Sequence, residues 1–268
     1  MNRETMLESS ISSSASLSKP IEIYVFVDPL CNESWTLTPL LRKLQVEYER
    51  YFTLKIVLRT SLPKMNLSCL RSKETTNSCE NHHPAFPSIA MKAAEFQGKR
   101  AGFRFLSKLF EYTYLQAGNI LSFDTLVDIA ERIGLDVDEF ILDFSSNNVL
   151  RALQVDLYLA NEMEVDNAPS FVFFNENIED EGLKVNGLHH YEIYEQILEE
   201  MVGYAIEPDL PPTLEDLFKR FDSLTTKEIA DIYQLQEKCA ERELKKQLLL
   251  QKVERVTCQD LTLWRKRN

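Results

Sequence analysis

Apolar positions run together or alternate through IEIYVFVD (21–28), recur every three or four residues through WTLTPLLRKLQVEY (35–48), and alternate again through YFTLKIVLRTS (51–61). The first and third patterns are those of strands and the second that of a helix, so the chain opens β-α-β. About 25 polar and turn-forming residues follow, LPKMNLSCLRSKETTNSCENHHPAF (62–86). From 88 to about 163 the spacing is helical throughout, in SIAMKAAEFQ, AGFRFLSKLFEYTYLQ, FDTLVDIAERIG and DVDEFILDFSS. Strand patterns return in SFVFFNE (170–176) and GLKVNG (182–187), joined by a short acidic connection suited to a hairpin. HYEIYEQILEEMVG (190–203) then reads as an amphipathic helix stopped by Gly203. The order β-α-β, helical block, β-β-α predicts an α/β fold: one sheet split by an inserted helical subdomain.

YAIEPDLPP (204–212) holds three prolines and marks a boundary. The predicted organisation is a polar tail over 1–19, a first domain over 20–204 with its insertion at about 88–163, a proline-rich linker over 205–212 and a small, mainly helical domain over 213–268. In the last unit Thr225 stands three residues before Glu228, a capping-box pattern ahead of IADIYQ. EKCAERELKKQLLLQKVERV reads as one long helix, and TCQDLTLWRKRN as a short ending anchored by Trp264.

Composition narrows the function. An apolar share of 44% in 268 residues suffices for a core, and the net charge of −12 opposes general nucleic-acid binding. Charge is uneven: 213–268 carries twelve Lys and Arg against ten Asp and Glu, leaving −14 on the remainder. No apolar run is long enough for a bilayer, and no basic-then-apolar leader opens the chain, so no membrane is expected. Five scattered cysteines do not form a secreted disulfide framework and point to a reducing, cytoplasmic setting. Residues 2–19 are too polar and serine-rich to order themselves.

The chemistry centres on FVDPLCNESW (26–35). Cys31 stands at a strand-to-helix junction, where free helix N–H groups favour a thiolate, but the position three residues on, which a resolving cysteine would occupy, is Ser34. A dithiol cycle is therefore lost, and Asp28 and Glu33 oppose the helix dipole. Cys31 is left as a monothiol, a structural residue, or part of a protein-binding surface. Pro169, in DNAPSFVFF, is an ordinary strand starter or a cis-proline facing that thiol. Trp35 packs beside the site or in the core, and Pro39 falls within the first helix. Cys69, Cys79, His82 and His83 are candidate zinc ligands by type, though their spacing is irregular and a polar loop is the plainer reading. His189 and His190 read as surface or capping residues. TTKEIADIY resembles the opening of helix-turn-helix modules, but the alternating charges of 237–246 favour a solvated or protein-docking helix face over DNA.

The element order with DPLCNESW and NAPSFVFF resembles the DsbA-like branch of the thioredoxin superfamily. KPIEIYVFVDPLCNESW, LLRKLQVEYERYF, MEVDNAPSFVFFNE, DEGLKVNG and ELKKQLLLQKVER resemble, more narrowly, the SpxH (YjbH) adapter proteins of Gram-positive bacteria, from about Lys19 to Trp264. The resemblance implies a DsbA-like domain followed by a small winged-helix-like unit. It also implies a non-catalytic adapter that binds the transcription factor Spx and promotes its degradation by the protease ClpXP. The implied partner surface lies around Cys31, Ser34, Trp35 and Pro169 and on the helical face of the second domain. The competing expectation is a monothiol oxidoreductase or isomerase using Cys31.

Overall fold

A computed structural model describes residues 19–60, 82–114, 118–177, 181–258 and 261–267; the predicted tail before Lys19, and Cys69 and Cys79, lie outside them. The first sheet takes its strands in the order β2-β1-β3-β4, with β1 Ile21–Val27, β2 Phe52–Leu58, β3 Ser170–Phe174 and β4 Leu183–Asn186. β1 and β2 are parallel, whereas β3 runs antiparallel to both β1 and β4. The register sets Phe26 opposite Ser170. The turn that leaves β1 therefore meets the segment that enters β3, although about 140 residues separate them in the chain.

Helix α1 (Asn32–Tyr48) crosses between β1 and β2 with Leu37, Leu41, Leu44 and Tyr48 as its buried stripe and Pro39 inside it. Among the described residues five helices form the insertion: α2 Phe86–Phe96, α3 Lys99–Tyr114, α4 Phe123–Arg132, α5 Val137–Phe144 and α6 Asn147–Glu162. The first begins two residues earlier than the periodicity implies, because Pro87 fits the first turn, where no intrahelical N–H is needed. Its Lys92 is buried and bonds Asp156 of α6 at 2.7 Å, while Asp156 accepts the Leu58 N–H at 2.8 Å. A charge pair thus ties the insertion to the end of β2. Helix α7 (Tyr191–Val202) ends at Gly203, which takes the left-handed conformation.

Among the described residues the C-terminal unit adds a three-stranded sheet to its three helices. It runs α8 (Leu214–Arg220), β5 (Ser223–Thr225), α9 (Thr226–Ile232), α10 (Glu237–Leu249), β6 (Val253–Cys258) and β7 (Leu261–Lys266), with sheet order β5-β7-β6. The predicted helix over 237–256 stops seven residues early. Gln251 adopts φ 58° and the Lys252 N–H bonds the Gln247 carbonyl, closing α10 and turning the chain into β6. Thr225 and Glu228 form the capping box. Leu217, Leu224, Leu244 and Trp264 make a separate core.

The two units meet along the second half of α1. Val46 packs into the C-terminal core. Arg42, almost wholly buried, donates to Glu228 at 2.7 Å and to the Ser223 carbonyl at 2.9 Å. Glu111 of α3 accepts the Ser223 hydroxyl at 2.6 Å and pairs with Lys108 and Arg265. The connection is pinned as well, since the Asp209 N–H reaches the Glu47 carbonyl and Arg50 holds both Asp209 and the Glu207 carbonyl. Among the described residues no helix is long and apolar enough to cross a membrane.

Burial alone would raise the Glu111 carboxyl; Lys108, Ser223 and Arg265 outweigh it and hold the group below its ordinary range. An acid whose folded pKa is depressed adds stability above its unfolded pKa and loses it as pH falls through the folded value. As pH falls below the ordinary glutamate value of 4.5, the radius of gyration, followed by small-angle scattering, is expected to grow as the domains part. Glu111→Gln flattens that acid response and starts from a looser particle at neutral pH; an identical titration in the variant contradicts the assignment.

Candidate functional site

The turn after β1 is built by its own polar groups. Asp28 Oδ1 accepts the Leu30 N–H at 2.9 Å and the Asp28 carbonyl accepts the Cys31 N–H at 2.9 Å, so the chain reverses within three residues. Cys31 sits at the N-cap of α1 in an extended conformation, and its side chain makes no cap bond. Its Sγ is half-buried and points across to the Ala168 carbonyl at 3.6 Å. The Ala168–Pro169 peptide is cis, and the buried Pro169 opens β3 beside the thiol. The pairing of Cys31 with a cis-proline is thus present in space.

Ser34 has another place. It is fully buried, and its Oγ accepts the Asp28 N–H at 3.3 Å. The residue that stands where a second sulfur would be fastens the turn from beneath and offers nothing to a partner. Trp35 is half-buried and meets Phe110 edge to face, ring centroids 6.4 Å apart. Together with Pro29, Leu30 and Ile120 they line a groove of about 630 Å³ beside Cys31. Trp35 and Thr36 also border a second cavity of about 830 Å³, which runs past Lys43 and Tyr191 to Lys227 and Asp231 of the C-terminal unit. The apolar surface next to the thiol therefore leads into the crevice between the two units.

The remaining candidates serve local structure. His82 makes an isolated backbone bridge with Ser122. His83 Nδ1 accepts the Ala85 N–H at 3.0 Å just before α2, its ring lies against Phe86, and burial lowers its pKa, favouring the neutral imidazole. Among the described residues no group of three or more His, Cys, Asp or Glu side chains is placed to hold a metal ion, and the other two candidate zinc ligands lie outside them. His189 Nε2 bonds the Asn186 carbonyl at 3.0 Å, and His190 is the N-cap residue of α7. Sequence periodicity missed the groove wall, because Phe110 and Ile120 read as ordinary helix or loop positions. It also missed Arg42, whose only signal is a cation inside the apolar run LLRKL.

The comparisons with known proteins agree with this geometry. A thioredoxin family model matches residues 24–196. The ClpXP adapter protein SpxH of Shouchella clausii is 41% identical over 267 residues, spanning 92% of this chain and 89% of its own. SpxH of Bacillus subtilis is 38% identical with the same two coverages, and SpxH of Staphylococcus saprophyticus is 38% identical over 92% of this chain and 91% of its own. Among solved structures, alpha-DsbA1 of Wolbachia pipientis superposes with a TM-score of 0.53 at 13% identity, over 69% of this chain and 87% of that one, a likeness of fold. With a thioredoxin family model over 24–196 and 38–41% identity to these relatives across about nine-tenths of both chains, the chain belongs to the SpxH family of ClpXP adapter proteins.

Proposed function

We propose that this protein is a non-catalytic adapter that binds the transcription factor Spx and delivers it to ClpXP in the cytoplasm. The observation that carries the reading is Ser34. Buried and bonded to the Asp28 N–H, it occupies the resolving position of a thioredoxin-type site, so a dithiol cycle has no second sulfur there. What the site keeps is the groove: an apolar floor of Leu30, Trp35, Phe110 and Ile120 beside a thiol already bonded to a carbonyl. Such a surface suits an extended segment of a partner. Delivery then requires only that the bound target be held near the protease, which raises its effective concentration without a covalent step.

The test is a reconstituted degradation of Spx by ClpXP with this protein, without it, and with Cys31→Ser. Both forms are expected to accelerate the loss of Spx to the same degree. Acceleration by the wild type alone would make Cys31 a working thiol and favour the monothiol reading, and no acceleration by either would end the adapter reading.

A further inference from the structure

Cations and exposed leucines come together where α10 turns into β6. Leu249 and Leu250, 82% and 62% exposed, stand side by side at the end of that helix. The left-handed Gln251 turns the chain, and the Lys252 carbonyl accepts the Arg267 N–H at 3.1 Å, while Lys266 lies opposite Val253 in the hairpin. The register thus sets Lys252 and Arg267 on one face of the hairpin's open end, with Glu254 two residues on, and Lys266 on the other face, so that three cations ring the strand ends that follow the two leucines. All three are exposed, and no ion pair holds any of them among the described residues. Lys245 and Lys246, on the last turns of α10, add charge that Glu241 and Glu243 partly offset.

We infer that this corner is a second docking site, which takes a short acidic segment with an apolar residue displayed by the protease assembly. The inference rests on the adapter reading in its tethering form, in which the bound target is held near the protease and a second contact is needed beside the Cys31 groove. Charge complementarity names the occupant. Lys252, Lys266 and Arg267 attract carboxylates, and Leu249 and Leu250 give a bound side chain an apolar floor. A short segment within a Debye length, about 8–10 Å, feels this corner and little else. An anionic bilayer is an extended surface that meets the whole molecule, whose net charge is −12, and two leucines alone insert little into it. A second copy of the chain would bring mostly negative charge, but its acids are spread over a folded surface rather than offered on a flexible segment.

The experiment measures binding of the full chain, wild type and Lys252→Glu/Lys266→Glu/Arg267→Glu, to ClpX held with a non-hydrolysable nucleotide, and in parallel to Spx. The variant is expected to bind ClpX at least about tenfold more weakly, with a flattened dependence on salt, while its affinity for Spx stays within about twofold of wild type. Leu249→Ser/Leu250→Ser, which adds no charge, should weaken ClpX binding and leave the salt dependence in place. Spx binding and accelerated degradation that persist while ClpX affinity is unchanged in both variants would overturn this site and leave the adapter reading standing; a wild type that accelerates nothing removes the adapter reading itself. Vesicles with about 30% phosphatidylglycerol and sedimentation velocity complete the test. Patch-dependent binding to the vesicles, or patch-dependent self-association, without patch-dependent binding to ClpX would assign the corner to a lipid surface or a second copy and refute the proposal.

Discussion

Arg42→Met separates the two units of the molecule while each stays folded. Removing one member of a buried ion pair strands the other, and such losses run at about 3–5 kcal/mol. Glu228 is only 4% exposed, and its second oxygen is already committed to the Thr225 N–H, so it cannot turn to a new partner without breaking the capping box. The Ser223 carbonyl loses its donor as well. The C-terminal unit escapes these costs by lifting off α1, since undocking returns Glu228 to water and leaves its own core intact. The expected readouts are rapid cleavage in 205–212, where the Asp209 and Arg50 contacts hold the chain against α1 in the wild type, and faster amide exchange in the second half of α1. Amides of β7 keep their protection. Adding Glu228→Gln, which keeps an acceptor for Thr225 but removes the stranded charge, should restore much of the docking. Unchanged cleavage in Arg42→Met would show that Val46 and the pinned linker suffice.

What the sequence makes legible here is what depends on local period. β1, α1 and β2 read directly, because each is a short, regular apolar pattern: β1 is an almost continuous apolar run buried on both faces of the sheet, and α1 carries its stripe at helical spacing. The thiol and the cis-proline could be paired from the chain alone, because a strand-turn-helix and a strand start are both local signals, and the register of β1 with β3 does the rest. Ser34 was visible as a missing sulfur but not as a buried fastener, a role set by where the Asp28 N–H points. β6 and β7 were hidden by QLLLQKVERV, in which helical spacing runs on past the true end of α10, and the residue that breaks it is a glutamine in the left-handed conformation rather than a glycine. The interface between the units was hidden for a different reason. Glu228 carries a complete local explanation as a capping residue, and its bond to Arg42, 186 residues away, leaves no trace in spacing. The groove wall is likewise drawn from three distant stretches around Leu30, Phe110 and Ile120.

Trp264→Ala is expected to melt the C-terminal unit alone. The indole is fully buried, and its Nε1 donates to Thr226 Oγ1 at 2.9 Å, joining β7 to the start of α9. Deleting a buried Trp costs about 3–5 kcal/mol, and a unit of this size has a core worth about the same. The first domain draws on a different set of side chains, Ile23, Phe105, Phe140 and Phe171 among them, and lends Val46 of α1 to the smaller core. Hydrogen exchange should therefore lose all protection in α9, β6 and β7 while β1 and β3 keep theirs, and the emission of Trp35, the only Trp left in the variant, should still report a closed groove. This separates the effect from that of Arg42→Met, in which β7 stays protected and only the contact between units is lost. Trp264→Phe, which keeps an aromatic ring but loses the bond to Thr226, should fall between the two. If β1 and β3 exchange as fast as β7 in Trp264→Ala, the buried pairs at Arg42 and Glu111 couple the units into a single cooperative fold, and the smaller core cannot be removed without the larger one.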